Sequence, residues 1–358
     1  MRRYQTRRAF IYGAAAASAA VSELVFTRSA AAKESLTVGE WGPPYIDGSK
    51  AAAAHQDLFE INWDLYSGGG ATVLPKIKAT WPNPTYDLVD NYTLVFYAMA
   101  KEGWAEPVTV QDVPNLAHVP EALIAKDSKG NWINIPRNVN GVFLAYRPDI
   151  CPIEIRKIDD LLDPRLKGQI NWPSTVMNSN VQVVILALAR GGDEHNMEPG
   201  WKFLEELAKS GNIGRVYQTT SDIIASVTSG ETSVSFGTQA TLGAVARKVP
   251  LKPLTKVDPS LKTVLLVEGF VVLANSKKKK QAMDFANFMI SPEGTELYLK
   301  SVDLAPANSL VKPPPGTEHL VFTADELKKY VYFPDFPYIT TQLDGWVQRF
   351  EQNIQPLL

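Results

Sequence analysis

The chain has 358 residues, of which 45% are hydrophobic, and this length is typical of about two domains with substantial cores. Its formal net charge is −2, and its only basic run, Lys277–Lys280, opens a predicted amphipathic helix, so no nucleic-acid-binding surface is expected. The single cysteine, Cys151, excludes an intramolecular disulfide. The four histidines have none of the spacings of histidine-rich metal sites, and we expect neither a metal nor another cofactor.

The N-terminal segment has the pattern of an export signal. It reads Thr6-Arg7-Arg8-Ala9-Phe10-Ile11, and an apolar, alanine-rich run follows up to Lys33. This pattern resembles a twin-arginine leader, and Glu23 interrupts the run, which argues against a membrane span. We expect residues 1–32 to be a signal peptide for export to the periplasm by the twin-arginine or the general secretory route. Its removal takes away five arginines and one glutamate and lowers the net charge from −2 to −6.

Strands and helices alternate after this segment, and Ser49 is expected to cap the first helix. The predicted order is a strand at 35–39, a helix at 51–60, a strand at 62–66, a helix at 71–80 and a strand at 86–89. This β-α-β-α-β order favours a mostly parallel sheet with helices on both faces. Ligands of such sheets bind beyond the carboxyl ends of the strands. The first candidate ligand loops are therefore 40–45, 67–70 and 90–92.

A second α/β unit is predicted to begin at an apolar strand over 141–146. Asp159 is expected to cap a short helix that Gly168 ends, and Ser221 to cap a helix at 222–229. The remaining elements of this unit are a strand at 169–171, a helix at 181–189, a helix around Trp201–Ala208 and a strand at 233–235.

The C-terminal part returns to strands and then to helices. Glu268-Gly269 is predicted to separate two strands, and Ser291 to cap a helix that begins at Pro292. The predicted elements are strands at 263–267 and 270–274, a helix with Met283, Ala286 and Met289 on one stripe, the helix from Pro292, a helix from Thr323, an aromatic loop at 330–338 and a final helix.

Three segments carry a resemblance to a known family. Lys157–Ile170 is similar to a "D-L-L-D-P-x-L-K-G-x-I" motif, Met283–Gly294 to an "A-x-x-F-x-x-F-x-x-S-P-E-G" motif, and Ser221–Glu231 to the helix that precedes a crossing strand. All three motifs are typical of the extracellular solute-binding proteins of ABC importers, which these segments resemble. Their order, together with the loop at Trp41, most resembles the spermidine/putrescine type.

The resemblance implies a two-lobed α/β fold of the type II periplasmic-binding-protein class, with a solute held in the cleft between the lobes. Lobe one would comprise residues 33–142 plus 271–358 and lobe two residues 143–270, joined by crossing hinge strands. A monomer would close on its solute and deliver it to an inner-membrane ABC permease. No bond need be made or broken.

The ligand site is expected to contain one acid and an aromatic platform. Glu268 lies where the resemblance places an acid that pairs with an ammonium group, although Glu268-Gly269 is also typical of an exposed turn. Trp41, with Tyr45, offers a face for an apolar or cationic ligand, or packs the lobe surface. Ser67-Gly68 offers close backbone approach, or forms a tight turn. The further candidates are Tyr92, Ser174, Asn178, Thr220, Ser221, Phe236, Thr238 and Gln239.

The ligand class follows from the balance of charges. Polyamine binders tend to carry acids in lobe two, whereas this chain has Ser174 and Asn178, which weakens a polyamine assignment. Thr220-Ser221 at a helix N-terminus would favour an anionic group, and with Glu268 it would suit a small zwitterion. We therefore keep a polyamine, another amine and a small zwitterion as candidate solutes.

Two other functions are kept as alternatives. The same fold occurs in thiaminase-like enzymes with a cleft cysteine, but Cys151 follows the predicted crossing strand in an outer loop. A ferric-ion-binding protein would need convergent tyrosines; Tyr217 is near the right region, but no adjacent tyrosine pair occurs in the cleft segments.

Overall fold

A computed structural model describes residues 33–66, 70–175 and 180–358. The predicted leader, Ser67, Gly68 and Asn178 lie outside these residues. The strands are β1 (Glu34–Trp41), β2 (Phe59–Tyr66), β3 (Leu88–Tyr92), β4 (Ile135–Tyr146), β5 (Ile170–Pro173), β6 (Ile213–Tyr217), β7 (Val234–Thr238), β8 (Lys252–Pro253), β9 (Thr263–Val272), β10 (Ala305–Pro306) and β11 (Val331–Tyr332). The α-helices are α1 (Tyr45–Ala53), α2 (Val73–Thr80), α3 (Thr93–Lys101), α4 (Val181–Ala189), α5 (Glu198–Lys209), α6 (Thr220–Ser229), α7 (Gln239–Ala246), α8 (Lys279–Met289), α9 (Pro292–Leu299), α10 (Ala324–Tyr330) and α11 (Phe336–Arg349).

Short helical turns complete the described elements. The 3-10 turns are Gly70–Thr72, Pro114–His118, Glu121–Leu123, Ile158–Leu162, Pro164–Leu166, Glu318–Leu320 and Gln355–Leu357, and a π-helical turn spans Phe350–Ile354. No helix among the described residues is long and apolar enough to cross a bilayer.

The strands form one mixed sheet in the order β2-β1-β3-β9-β4-β7-β5-β6. β1 runs parallel to β2 and β3, and β5 runs parallel to β6 and β7. The long strands β4 and β9 pair antiparallel to each other and link these two parallel groups. This arrangement confirms the predicted α/β fold class with two crossing strands. The division into two lobes at the stated residues stays a prediction.

Apolar stripes of the helices fill the core on both sides of the sheet. Met283, Ala286 and Met289 of α8 are buried together, as their spacing predicts. The short helix α4 is apolar almost all round and is buried along most of its length. Phe336, Ile339 and Trp346 of α11 join the same buried cluster as α4, so the C-terminal helix is anchored on the middle block of the chain.

Helix α1 begins earlier than predicted, at Tyr45, and ends at Ala53. Ser49 lies inside this helix, where it is buried and donates to Glu40 Oε2 at 2.5 Å, so its prediction as the helix cap was wrong. The side chain of Gln56 explains the early end. Its Oε1 accepts from the backbone N–H groups of Leu58 and Phe59 at 2.8 and 2.9 Å, which turns the chain into β2.

Strand β9 is continuous through Glu268-Gly269, so the prediction of two strands separated by a turn was wrong. β4 carries a bulge between Pro136 and Asn138, and Gly269 lies opposite it. A Cβ at position 269 would come within 2.2 Å of the Ile135 carbonyl oxygen. Gly269 is therefore part of the strand because it leaves room for the bulge.

Candidate functional site

Four aromatic rings meet at the carboxyl ends of the first three parallel strands. Trp41 ends β1, Tyr66 ends β2, Tyr92 ends β3, and Tyr45 begins α1. The centroid of the Trp41 ring lies 5.0 Å from that of Tyr66, 6.0 Å from Tyr45 and 6.1 Å from Tyr92. The structure thus brings together three of the predicted ligand residues, Trp41, Tyr45 and Tyr92, and adds Tyr66. Their role in binding stays a prediction.

A buried ionic network belongs to the same end of the sheet. The guanidinium of Arg137 is fully buried and pairs with Asp90 through Nη2. Its Nη1 lies 3.5 Å from Glu40 Oε2 and donates to Ser49 Oγ at 2.7 Å. The guanidinium carbon lies 3.6 Å from the centroid of the Tyr298 ring, a cation–π contact. Arg137 is the extra residue of the β4 bulge, and such a bulge changes the direction of a side chain.

Glu268 lies next to this network but has different partners. It is only 8% exposed, so the exposed-turn interpretation of Glu268 was wrong. Asn138 Nδ2 donates to Oε2 at 2.6 Å, and Asn140 Nδ2 donates to Oε1 at 3.0 Å. Burial raises the pKa of the Glu268 carboxyl above its ordinary value, and the two amide hydrogen bonds oppose that rise.

Buried acidic side chains outnumber buried basic ones at this end of the sheet. Three buried carboxylates, Glu40, Asp90 and Glu268, are accompanied by one guanidinium, Arg137, and only the first two carboxylates contact it. Burial, and then the carboxylate of Glu268, raises the pKa of Tyr45 and of Tyr92. The field of Glu268 therefore reaches the aromatic cluster, and a cation placed there would be attracted to it.

Five buried polar atoms of the residues described so far have no hydrogen-bond partner within the described ranges. Three belong to the ionic network and are Asp90 Oδ1, Arg137 Nε and the Tyr298 hydroxyl. The remaining pair is the indole nitrogen of Trp41, a donor, and the side-chain oxygen of Asn138, an acceptor. Buried polar atoms in folded proteins nearly always have a partner. The pair could therefore bind a ligand that offers both an acceptor and a donor.

The candidate ligand residues Phe236, Thr238 and Gln239 of the middle block contact other residues of the protein. Phe236 is fully buried in β7 with its ring against Trp172 at 5.4 Å, so its prediction as an open stacking face was wrong. Gln239 begins α7 and donates to the Gly316 carbonyl at 3.4 Å, and Thr238 Oγ1 lies 3.2 Å from Thr241 Oγ1. Because the next backbone N–H, that of Ala240, donates to Asn140 Oδ1 at 3.4 Å, Asn140 joins α7 to Glu268.

Helix α6 begins at Thr220, two residues earlier than predicted, and Thr219 is its cap instead of Ser221. Asp222 accepts from the backbone N–H of Thr219 at 3.0 Å. Thr220 and Ser221 are exposed, but this carboxylate already lies at the positive end of the helix. This acid weakens the attraction of the helix end for an anion, and the anion preference of Thr220-Ser221 stays a prediction.

Two cavities lie away from the aromatic cluster. Ser174 is buried, its hydroxyl has no partner among the described residues, and it lines a cavity of about 470 Å³ together with Gln218 and the C-terminal Glu351 and Gln355. A second cavity, of about 1090 Å³, lies between α2, α3 and α11, and none of the predicted ligand residues lines it.

The two alternative functions depend on Cys151 and on Tyr217. Cys151 is half-buried in the turn after β4, and its backbone N–H donates to the Arg147 carbonyl at 2.9 Å. Tyr217 is buried, and its hydroxyl donates to the Phe236 carbonyl at 3.0 Å. Within the described ranges, no group of three or more His, Cys, Asp or Glu side chains could hold a metal ion.

Sequence reasoning did not single out six residues of the site, which are Glu40, Tyr66, Asp90, Arg137, Asn138 and Asn140, although Glu40 and Asp90 lie in two of the candidate loops. A signal was present in Pro136-Arg137-Asn138-Val139-Asn140, where polar residues interrupt an otherwise apolar run just before the predicted strand. Polar residues inside a fully buried strand require partners, so this pattern favours a buried polar site.

Comparisons with known proteins give a consistent family. The profile of the family described as bacterial extracellular solute-binding protein matches residues 49–328. A curated relative, iron uptake protein A1 from a Synechocystis strain, is 22% identical over 241 residues, and the match covers 64% of each chain, just under two thirds of that relative's length.

Solved structures share the fold. An ABC transporter protein from Clostridium perfringens superimposes with a TM-score of 0.70 at 24% identity, over 89% of this chain and 100% of that one. The spermidine/putrescine ABC transporter substrate-binding protein of Streptococcus pneumoniae has a TM-score of 0.72 at 15% identity, over 90% of this chain and 100% of that one. At these identities the likeness concerns the fold.

Proposed function

Since this chain belongs to the family of bacterial extracellular solute-binding proteins, we propose that it captures a small organic cation and hands it to an ABC permease. The solute carries one positive charge, on a primary or quaternary ammonium group. It binds at the carboxyl ends of β1 and β3, between Glu268 and the rings of Trp41, Tyr45 and Tyr92.

The observation that carries this proposal is the Glu268 carboxylate. It is buried, it accepts two amide hydrogen bonds, and no cationic side chain in the described part of the chain forms an ion pair with it. A buried carboxylate without a cation is costly, and that cost is relieved when a ligand cation pairs with it. The neighbouring aromatic faces favour the same charge, because the face of an aromatic ring attracts cations.

The ion pairs of Arg137 determine how many positive charges of a ligand can be paired at this site. Its guanidinium already pairs with Asp90 and lies against Glu40, which leaves Glu268 as the acid available to a ligand. Each further ammonium of a polyamine would need another buried acid, and Ser174 and Gln239 offer none. A monoamine, a quaternary amine, or a zwitterion whose acceptor meets the Trp41 indole N–H therefore fits better than a polyamine.

Delivery to a permease requires an exported, two-lobed receptor. We assign residues 33–142 plus 271–358 to one lobe and 143–270 to the other, with β4 and β9 as the crossing strands and with α11 of the first lobe in the same buried cluster as α4 of the second. Asn140 contacts both Glu268 and the first turn of α7, so a ligand bound at Glu268 would act on both lobes. In this proposal residues 1–32 direct a monomer to the periplasm, and no catalysis takes place there.

Ferric-ion capture is the second candidate. Two observations favour it: the similarity to iron uptake protein A1 and the convergence of Tyr45, Tyr66 and Tyr92 on the Trp41 ring. Burial raises the pKa of all three tyrosines, however, whereas iron binds tyrosine as the phenolate. Catalysis by Cys151 is a weaker alternative, because the turn after β4 lies at the opposite end of that strand from Asn138.

The test combines native mass spectrometry of the mature protein with calorimetric titration of choline, putrescine, a sugar acid and ferric citrate. We expect a monocation to bind and Glu268→Gln to weaken it by about 30-fold or more, since a buried charge pair is lost. Asp325→Asn, an exposed acid of α10, is the control and should bind like the parent. Binding of the sugar acid alone, or iron uptake with a visible charge-transfer colour, would contradict the proposal.

A further inference from the structure

The cavity of about 1090 Å³ is a groove that none of the residues of the Glu268 site lines. One wall consists of α2, α3 and the loop around residues 126–133, and the other of the first half of α11. Pro337, Thr340 and Thr341 of α11 line the groove, whereas Phe336 and Ile339 on the opposite side of that helix are buried in the core.

The floor of the groove is apolar and aromatic. Trp104 is 5% exposed, Tyr97 is half-buried, and Leu74, Ala98 and Ile133 complete the floor. Ligand pockets are mostly apolar with a few polar groups, and about 300–1,000 Å³ is the usual size. The groove therefore has the size and lining of a site for a small molecule with an apolar body.

The rim of the groove is basic. Four lysines line it, Lys78, Lys101, Lys126 and Lys129, against two acids, Glu102 and Asp127. The oxygens of Asp127 accept from the backbone N–H groups of Lys129 and Asn131 and from the Asn131 amide, so that carboxylate is held by its own loop.

The lysines differ in whether they already form an ion pair with an acidic side chain. Lys126 pairs with Glu121 Oε1 at 2.6 Å. Lys78 and Lys101, at the ends of α2 and α3, form no ion pair with any residue in the described ranges. Two free ammonium groups above an apolar floor present a positive potential at this place on a chain whose net charge is negative.

We propose that this groove is a second binding site, which takes a small organic anion with an apolar body, such as a medium-chain carboxylate. The head group pairs with Lys78 and Lys101, and the hydrocarbon body lies on Tyr97 and Trp104. The groove and the cation site at Glu268 share no lining residue and attract opposite charges.

The test uses decanoate, decanol and decyltrimethylammonium, which share a chain length and differ in head group. Calorimetric titrations are made on the mature chain carrying Glu268→Gln, so that the cation cannot enter the other site. We expect decanoate to bind about tenfold or more tightly than decyltrimethylammonium, a ratio that about 1.4 kcal/mol produces. A nonspecific surface of a negatively charged chain would prefer the cation.

A double variant, Lys78→Gln with Lys101→Gln, locates the site. It should weaken decanoate about tenfold and leave decanol unchanged, whereas Lys202→Gln, an exposed lysine of α5, should leave both unchanged. Thermal melting of each variant checks that it is folded. Equal binding of the three amphiphiles, or a double variant that binds decanoate like the parent, would overturn the proposal.

Discussion

Asn138 and Glu268 face each other in the antiparallel ladder of β4 and β9, and the Asn138 amide donates to Glu268 at 2.6 Å. The bond joins the two strands that cross between the halves of the sheet. It also fixes the carboxylate beside Tyr92, which is the register partner of Glu268 on the opposite side, in β3. A ligand that pairs with Glu268 therefore acts directly on both crossing strands.

Asn138→Ala should weaken cation binding about tenfold. The carboxylate would lose one of its two amide donors, and a hydrogen bond to a charged group contributes about 1.5–3 kcal/mol. Calorimetry with the cation found by the titration panel measures the change. Asn131→Ala is the matched control, because the Asn131 amide donates to the exposed Asp127 at 2.9 Å; a similar loss in both variants would argue against a role for Asn138.

The pH dependence of the empty protein should reveal Glu268. Burial raises the pKa of this carboxyl above its ordinary value of 4.5, so the folded state binds the proton more tightly than the unfolded state. The contribution of Glu268 to the free energy of unfolding therefore falls as the pH rises from 4.5 through the raised pKa, by about 1.4 kcal/mol for each unit between the two values.

Cation affinity should change in the opposite direction over the same pH range, because only the ionised carboxylate attracts the ligand. Urea unfolding and calorimetric titration at matched pH values measure both trends. Glu268→Gln should remove both of them. A parent and variant with the same pH slope of stability would show that Glu268 keeps its ordinary pKa.

Arg137→Met should destabilise the empty protein by about 3–5 kcal/mol. The substitution leaves Asp90 and Glu40 buried without their cation, and loss of one partner of a buried ion pair has a cost of this size. Adding Asp90→Asn should recover part of the loss, since one unpaired charge is removed. Urea unfolding of the single and double variants measures the recovery, and strictly additive losses would contradict this account.

The residues themselves show how far the sequence predicts the structure. Most strands and helices from β1 to α9 occur close to their predicted places, and their alternation was sufficient for the fold class. Trp41 was predicted from its position at a strand end, and Glu268 from the family resemblance. The ion pair of Asp90 with Arg137 was missed because the two residues are separated by 47 positions in the sequence. The hydrogen bond of Asn138 to Glu268 was missed because those residues are separated by 130 positions.

Burial is the property that the local pattern did not predict. Phe236 and Ser49 have the residue types of a stacking face and a helix cap, but both are fully buried once the sheet is assembled. Glu268-Gly269 has the composition of a turn, but the β-bulge between Pro136 and Asn138, about 130 residues earlier in the chain, requires that glycine inside a strand. Tertiary packing therefore overrides local preference at the positions that form the site.

Two glycine substitutions should have opposite effects on stability. In Gly269→Ala the new Cβ would lie 2.2 Å from the Ile135 carbonyl oxygen and 2.8 Å from the Arg137 backbone nitrogen, which are both backbone atoms that cannot move aside alone. The β4 bulge must shift, and with it Arg137 and Asn138. We expect a loss of about 3 kcal/mol or more in the free energy of unfolding, at the upper end of what overpacking causes.

Gly345→Ala is the matched control, because Gly345 lies inside α11 and a Cβ there would meet no atom within 4 Å. Alanine loses less backbone freedom than glycine when it enters a helix, so this variant should gain about 0.5–1 kcal/mol. Urea unfolding of both variants measures the two signs. Cation binding should weaken in Gly269→Ala and stay unchanged in Gly345→Ala, because only the first substitution displaces the strand that holds Asn138 against Glu268; a Gly269→Ala variant as stable as the parent would mean that the bulge does not depend on this glycine.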